Sequence, residues 1–144
     1  MDLDDVAAEL RTALQTITGL NVPQWGTERI ASPAAVIGLP ERIDYDGTYQ
    51  RGSDRYPDLP VIVLLARPKD PITRRAIAPY TAGAGPASVK QAIEAYPYTS
   101  CDVVAVDWAE FEDVTHAGVD YLAAIFHLSI TGQGASLMDA SPSA

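Results

Sequence analysis

Two histidines, one cysteine and a run of carboxylates are the residues of this 144-residue chain whose chemistry goes beyond packing. Cys101, His127 and Asp107 can be drawn as a thiolate relay, in which the imidazole takes the thiol proton and the carboxylate orients the ring. No spacing or local motif supports that relay. Cys101 opens a strand in "YTSCDVVAVDW", where a small thiol serves as half-buried packing rather than as a nucleophile. His116 sits in "DWAEFEDVTH", whose Glu110, Glu112 and Asp113 could hold a hard cation through several oxygens. The stretch lacks the regular alternation and the central glycine of a calcium loop, so it reads as a solvated, charged turn. "GAGPAS" looks superficially like a phosphate-gripping loop, but it lacks the third glycine and the Lys-Ser/Thr pair, and no strand leads into it. It reads as a joint between helices. The expectation is a chain with no catalytic residue, no metal site and no cofactor.

Recognition chemistry is better represented. Tyr49, Arg51, Arg55 and Tyr56 cluster in "GTYQRGSDRYPD", a connection from Gly47 to Asp58 with almost no aliphatic side chains. Arginine and tyrosine are enriched at protein interfaces, so this connection is expected to be a contact arm, with a polar loop as the plainer alternative. Arg74 and Arg75 beside Lys69 form a second basic spot, suited to an acidic face of another copy of the chain.

Composition limits the partners. The chain is 47% hydrophobic and 20% charged with a formal net charge of −9, an ordinary globular composition with an acidic balance. That balance argues against non-specific capture of nucleic acid and against docking on an anionic membrane. No apolar run approaches the ~20 residues that span a bilayer. The start "MDLDDVAAEL" carries acids where a secretion signal carries basic residues, so the product is expected to stay where it is made.

Hydrophobic periodicity supplies the elements that must position these residues. Val6, Leu10, Ala13, Leu14 and Ile17 recur at helical spacing behind Asp2, Asp4 and Asp5, with Gly19 ending the run. "SPAAVIGLPERIDYD" reads as a strand with Ala35, Ile37, Leu39, Ile43 and Tyr45 on one face and Arg42, Asp44 and Asp46 on the other, while "LPVIVLLA" reads as a covered central strand. Asp70 and Pro71 start a helix with Ile72 and Ile77 inward, and "GPASVKQAIEAY" starts another. "CDVVAVDWAEF" is a third strand, with Val104, Val106 and Trp108 opposing Val103, Ala105 and Asp107, and "EDVTHAG" turns into a fourth. On that fourth strand Leu122, Ala124, Phe126, Leu128 and Ile130 form a core face, while Val119, Tyr121, Ala123, Ile125, His127, Ser129 and Thr131 form a face that begins greasy and ends polar. From Val119 to Thr131 it would extend ~40 Å, about the diameter of the domain. The expected fold is α+β, order α-β-β-α-α-β-β, with a mixed, mainly antiparallel sheet of about four strands and helices on one face. Residues 1–134 form one domain and 135–144 a frayed tail.

"LDDVAAEL", "GAGPASVKQAIEAY" followed by "YTSCD", and above all "GVDYLAAIFHLSITGQG" resemble the tail-terminator proteins of bacteriophages with long, non-contractile tails, particularly those infecting actinobacteria. The resemblance runs from Leu3 to Gly134 and rests on segment order and short strings rather than on a catalytic signature. It implies an α+β virion subunit that forms a homo-hexameric ring at the head-proximal end of the tail tube. Its partners would be copies of itself, the tail tube protein and the head–tail connector, with DNA passing through the channel unbound. A neighbouring subunit would cover the outer face of the long strand at Tyr121, Ile125 and His127, while Asp44 and Asp46 are expected to face the channel. Alternatives are another neck protein such as a head-closure or connector subunit, a small cytoplasmic enzyme, and a module that captures a peptide on an exposed strand edge.

Overall fold

Asp2 begins the first helix by accepting hydrogen bonds from the amides of Asp4 and Asp5 at 2.9 and 3.1 Å, which satisfies donors that a helix start leaves open. The computed structural model describes residues 1–23, 31–45 and 53–133. Helix α1 spans Leu3–Gln15 and buries Val6, Leu10, Ala13 and Leu14, as the spacing predicts. Gly19, at φ +81°, takes the left-handed conformation in the turn that follows. Strands β1 (Ala34–Ile37) and β2 (Ser53–Ala66) come next, then helices α2 (Pro71–Thr81) and α3 (Val89–Ala95), then β3 (Val103–His116) and β4 (Val119–Gln133). The four strands form one sheet in the order β1-β2-β4-β3, and every neighbouring pair is antiparallel. The fold is α+β.

All three helices lie on one face. Leu10 and Leu14 of α1, Ile77 of α2 and Val89 and Ile93 of α3 share a core with Val61, Val63, Ala124, Phe126, Leu128 and Ile130 of the central strands. A second, smaller cluster occupies the other face: Leu64, Tyr121 and Ala123 are buried there, with Val36, Ile62, Ala66, Val114 and Ile125 packed at their margin. Among the described residues no helix contributes to it, and none is long and apolar enough to cross a membrane.

Five expectations are corrected. The first strand stops at Ile37, and only an isolated bridge between Asp44 and Arg55 continues its direction, so Leu39 and Tyr45 are 64% and 72% exposed. Pro40, which has no amide to donate, lies in the interruption. The connection expected from Gly47 to Asp58 is strand from Ser53 onward, because Asp54 and Tyr56 alternate inward and are buried. The acidic stretch is no turn. β3 runs through it to His116, and Ala117 and Gly118, at φ +51° and +79°, make the reversal into β4. In α2 it is Thr73 that pairs with Ile77 on the buried side, its hydroxyl donating to the Ala66 carbonyl, and Ile72 is 73% exposed. Finally, Trp108 does not share a face with Val104 and Val106, because the β3–β4 register shifts between Val106 and Trp108. The expected tail at 135–144 lies outside the described residues.

Glu9 fastens α1 to the segment leading into β3. Its carboxylate accepts the Ser100 amide at 2.6 Å and the Thr99 amide at 3.1 Å. Desolvation pushes this carboxyl up, but the hydrogen bonds from Ser100 and Thr99 outweigh it and hold it below its ordinary value. A depressed folded-state value means that the stabilisation is complete above the unfolded value of about 4.5 and is lost as pH falls through the lower folded value. Thermal unfolding of Glu9→Gln should therefore fall below the parent chain by a margin that is largest at neutral pH and shrinks under acid. A margin independent of pH would contradict this role for the carboxylate.

Candidate functional site

The open face of the sheet is built by strand alternation together with two irregularities. β4 directs Tyr121, Ala123, Ile125, His127, Ser129 and Thr131 outward, since their neighbours Ala124, Phe126, Leu128 and Ile130 are committed to the core. In β2 the pairing with β4 slips between Tyr56 and Leu59, leaving Pro57 and Asp58 without register partners, and Asp58 adopts φ +55°. In β3 the slip leaves Asp107 unmatched. Each is a β-bulge, a device that bends a strand and re-aims its side chains. The two slips fall on either side of Leu128 of β4, beside its outward neighbours Ser129 and His127.

What the bulges deliver is a polar and aromatic cluster at the centre of the open face. Asp58 hydrogen-bonds His127 through Nδ1, and Asp107 accepts from the Ser129 hydroxyl. The His127 ring stacks on Trp108 with centroids 3.8 Å apart and planes 6° from parallel. Its Nε2 lies 3.5 Å from a Glu110 carboxylate oxygen without hydrogen-bond alignment and has no other partner. The His127 side chain is left 12% exposed, whereas Trp108, with one ring face against the imidazole, is 53% exposed. Exposed Val103 and Val119 lie toward the two ends of the same face, opposite Thr131 and His116. A tryptophan half in water among carboxylates is the kind of group that anchors a protein contact.

The expected site residues fall into separate groups. Tyr121, Ile125 and His127 share the open face, with Tyr121 buried within its apolar cluster and Ile125 partly buried. Arg55 is exposed beside Thr131 of β4. Tyr56 is corrected from contact residue to core residue: it is 1% exposed, and its hydroxyl donates to the Met1 carbonyl at 3.3 Å. Burial pushes that phenol up from its ordinary value. Asp44 accepts from Arg42 Nε at 2.9 Å. Tyr49, Arg51 and Asp46 lie outside the described residues.

The cysteine relay is not assembled. Cys101 is buried on the helix side of the sheet, where burial raises its thiol, while His127 is engaged by Asp58 on the opposite face and Asp107 by Ser129. Glu110 and Glu112 lie on one face of β3 and Asp113 on the other, and no group of metal-ligating side chains occurs among the described residues. Sequence reading missed Trp108, Asp58, Glu110 and Ser129 as members of one cluster. The available signal was "YPD" ahead of a strand, since proline within a strand marks a bulge or an edge.

β3 and the short β1 are the edge strands of the sheet among the described residues. Glu94 of α3 blocks part of the β3 edge by accepting the Val106 amide at 3.0 Å. Hydrogen bonding from Lys90, with a further contribution from that amide, holds the Glu94 carboxyl below its ordinary value. Glu110, Glu112 and Asp113 place like charges farther along, a common guard against unwanted strand addition. The face is thus a better candidate for contact than the edge. No family model matches this chain, and no curated protein shows a significant match to it.

Asp58→Ala should lower stability to urea unfolding by about 1–2 kcal/mol, because it removes the His127 partner and puts a Cβ-bearing residue at positive φ without a local hydrogen bond. Asp58→Gly should recover part of that loss by relieving the backbone. Equal stability of the two variants would show that the backbone conformation contributes nothing.

Proposed function

We propose that this chain is a structural subunit of a phage neck, a tail terminator that caps the tail tube as a ring and meets the head–tail connector. The observation that carries the reading is the open sheet face, where an apolar cluster around Tyr121 and Ala123 continues into the exposed Trp108, Val103 and Val119. Side chains of that size on one face of a monomer mark a surface meant for protein contact. A subunit that repeats one unlike-to-unlike contact whose rotation closes forms a ring and leaves none of these faces in water. The resemblance of "GVDYLAAIFHLSITGQG" to tail terminators supports the same reading, and that stretch supplies β4, the strand that carries the face. Hexameric stoichiometry follows from the resemblance.

The charge is consistent with a channel wall. At a net −9 per copy, a ring repels the DNA that passes through it and binds none of it specifically. In this role Asp44 faces the channel, the strip from Tyr121 to His127 faces a neighbour, and no catalysis or cofactor is involved.

Electron microscopy of particles assembled in a host without this chain tests the role directly. Overlong tails detached from heads are expected. Tails of normal length beside unjoined heads would instead assign the chain to head closure and overturn the terminator reading.

A further inference from the structure

The open face is acidic along the rim at Trp108, with Arg55 at its far end beside Thr131, and a group of cations without ion pairs among the described residues sits at a corner away from it. Asp107 precedes Trp108 at the bulge and Glu110 follows it on the same face of β3, its side chain 44% exposed. Arg67, Lys69 and Arg75 occupy the corner where β2 passes into α2; all three are exposed, and none forms an ion pair among the described residues. Arg74 is a different case, since it lines a groove with Phe111 and the chain's own Glu112 and Asp113.

Trp108 and Glu110 lie beyond the corner's reach within one chain; Glu112, which pairs with Ala123 two positions from Tyr121 and lines the groove with Arg74, does not belong to the rim. Pro60 pairs with His127 at the cluster, whereas Ala66, the last residue before the corner, pairs with Tyr121 six positions along β4. At ~3.3 Å per residue that separation is ~20 Å, well beyond the reach of an arginine or lysine side chain. Two complementary patches on one rigid subunit, too far apart to satisfy each other, suit contact between copies.

We propose that the Arg67–Arg75 corner of one copy docks on the Trp108 rim of the next. A guanidinium from the corner stacks on the free face of Trp108, whose other face is held by His127, and pairs with Glu110. Cation and aromatic attract through the ring quadrupole, and the flanking carboxylates fix the cation in place. Because rim and corner are different surfaces, the contact is head-to-tail and propagates from copy to copy until it closes. This deepens the ring reading given above and rests on it for its biological meaning.

Charge exchange between two variants tests the docking. The first variant carries Glu110→Lys, and the second carries Lys69→Glu and Arg75→Glu. By sedimentation velocity up to high protein concentration, the parent chain is expected to self-associate and each variant alone to remain monomeric. An equal mixture should assemble, since the reversed rim of one variant meets the reversed corner of the other and the two unaltered patches also match. Trp108→Ala should weaken association of the parent chain roughly thirtyfold, the loss of a hot-spot side chain. A parent chain that stays monomeric, variants that assemble alone as well as the parent does, or folded variants whose mixture stays monomeric would each overturn the contact. Those outcomes differ from failure of the terminator role, which appears in tail length.

Discussion

Three helices cover one face of a four-stranded sheet, and β4 is apolar on both sides of much of its length. That mismatch is the constraint on which the rest depends. On the helix side, alternation sinks Ala124, Phe126, Leu128 and Ile130 into a core that α1, α2 and α3 close completely. On the other side the same alternation presents Tyr121, Ala123 and Ile125, and among the described residues only side chains from neighbouring strands cover them. Tyr121 and Ala123 still reach 5% and 0% exposure, so the patch is already dense before any partner arrives. Dense, flat and rimmed with polar groups describes an interface better than it describes an incomplete core.

Two bulges turn that flat patch into a specific surface. Without the slip at Asp107, Trp108 would continue the inward series of Val104 and Val106 and compete for core space under α3. With it, the indole lies outward against His127. Without the slip at Pro57 and Asp58, no carboxylate of β2 would reach Nδ1 of that histidine. Each bulge sacrifices local ladder hydrogen bonding and re-aims a side chain, and the two act on adjacent outward positions of β4. Local irregularity thus assembles a stacked, acid-flanked aromatic from residues on three strands.

The sequence made much of the architecture legible. Helical spacing from Val6 to Leu14, the Asp70–Pro71 start and the alternation in β4 all appear as read, because each rests on a period maintained over many residues. Helix α1 nevertheless ends at Gln15, short of Ile17 and Gly19. What was not legible depends on register. The face of Trp108 is not legible because a single unmatched residue inverts everything after it, and nothing in "VVAVDWAEF" announces the slip. Tyr56 looked like an exposed contact residue because its neighbours are charged and glycine-rich, yet pairing of Ser53–Tyr56 with β4 turns it into the core. The extent of β3 was hidden for a similar reason: Glu110, Glu112 and Asp113 look like a turn but are tolerated in an edge strand that borders water.

The central claim is that another copy of the chain covers the open face in its working state. Acrylamide quenching of Trp108 in a Trp25→Phe chain, followed from dilute protein into the assembled state, measures that most directly. The free ring face should be reached by quencher in the dilute chain and shielded on assembly. Quenching that is just as efficient in the assembled particle would mean that the face remains open to water, and the account of this surface would be wrong.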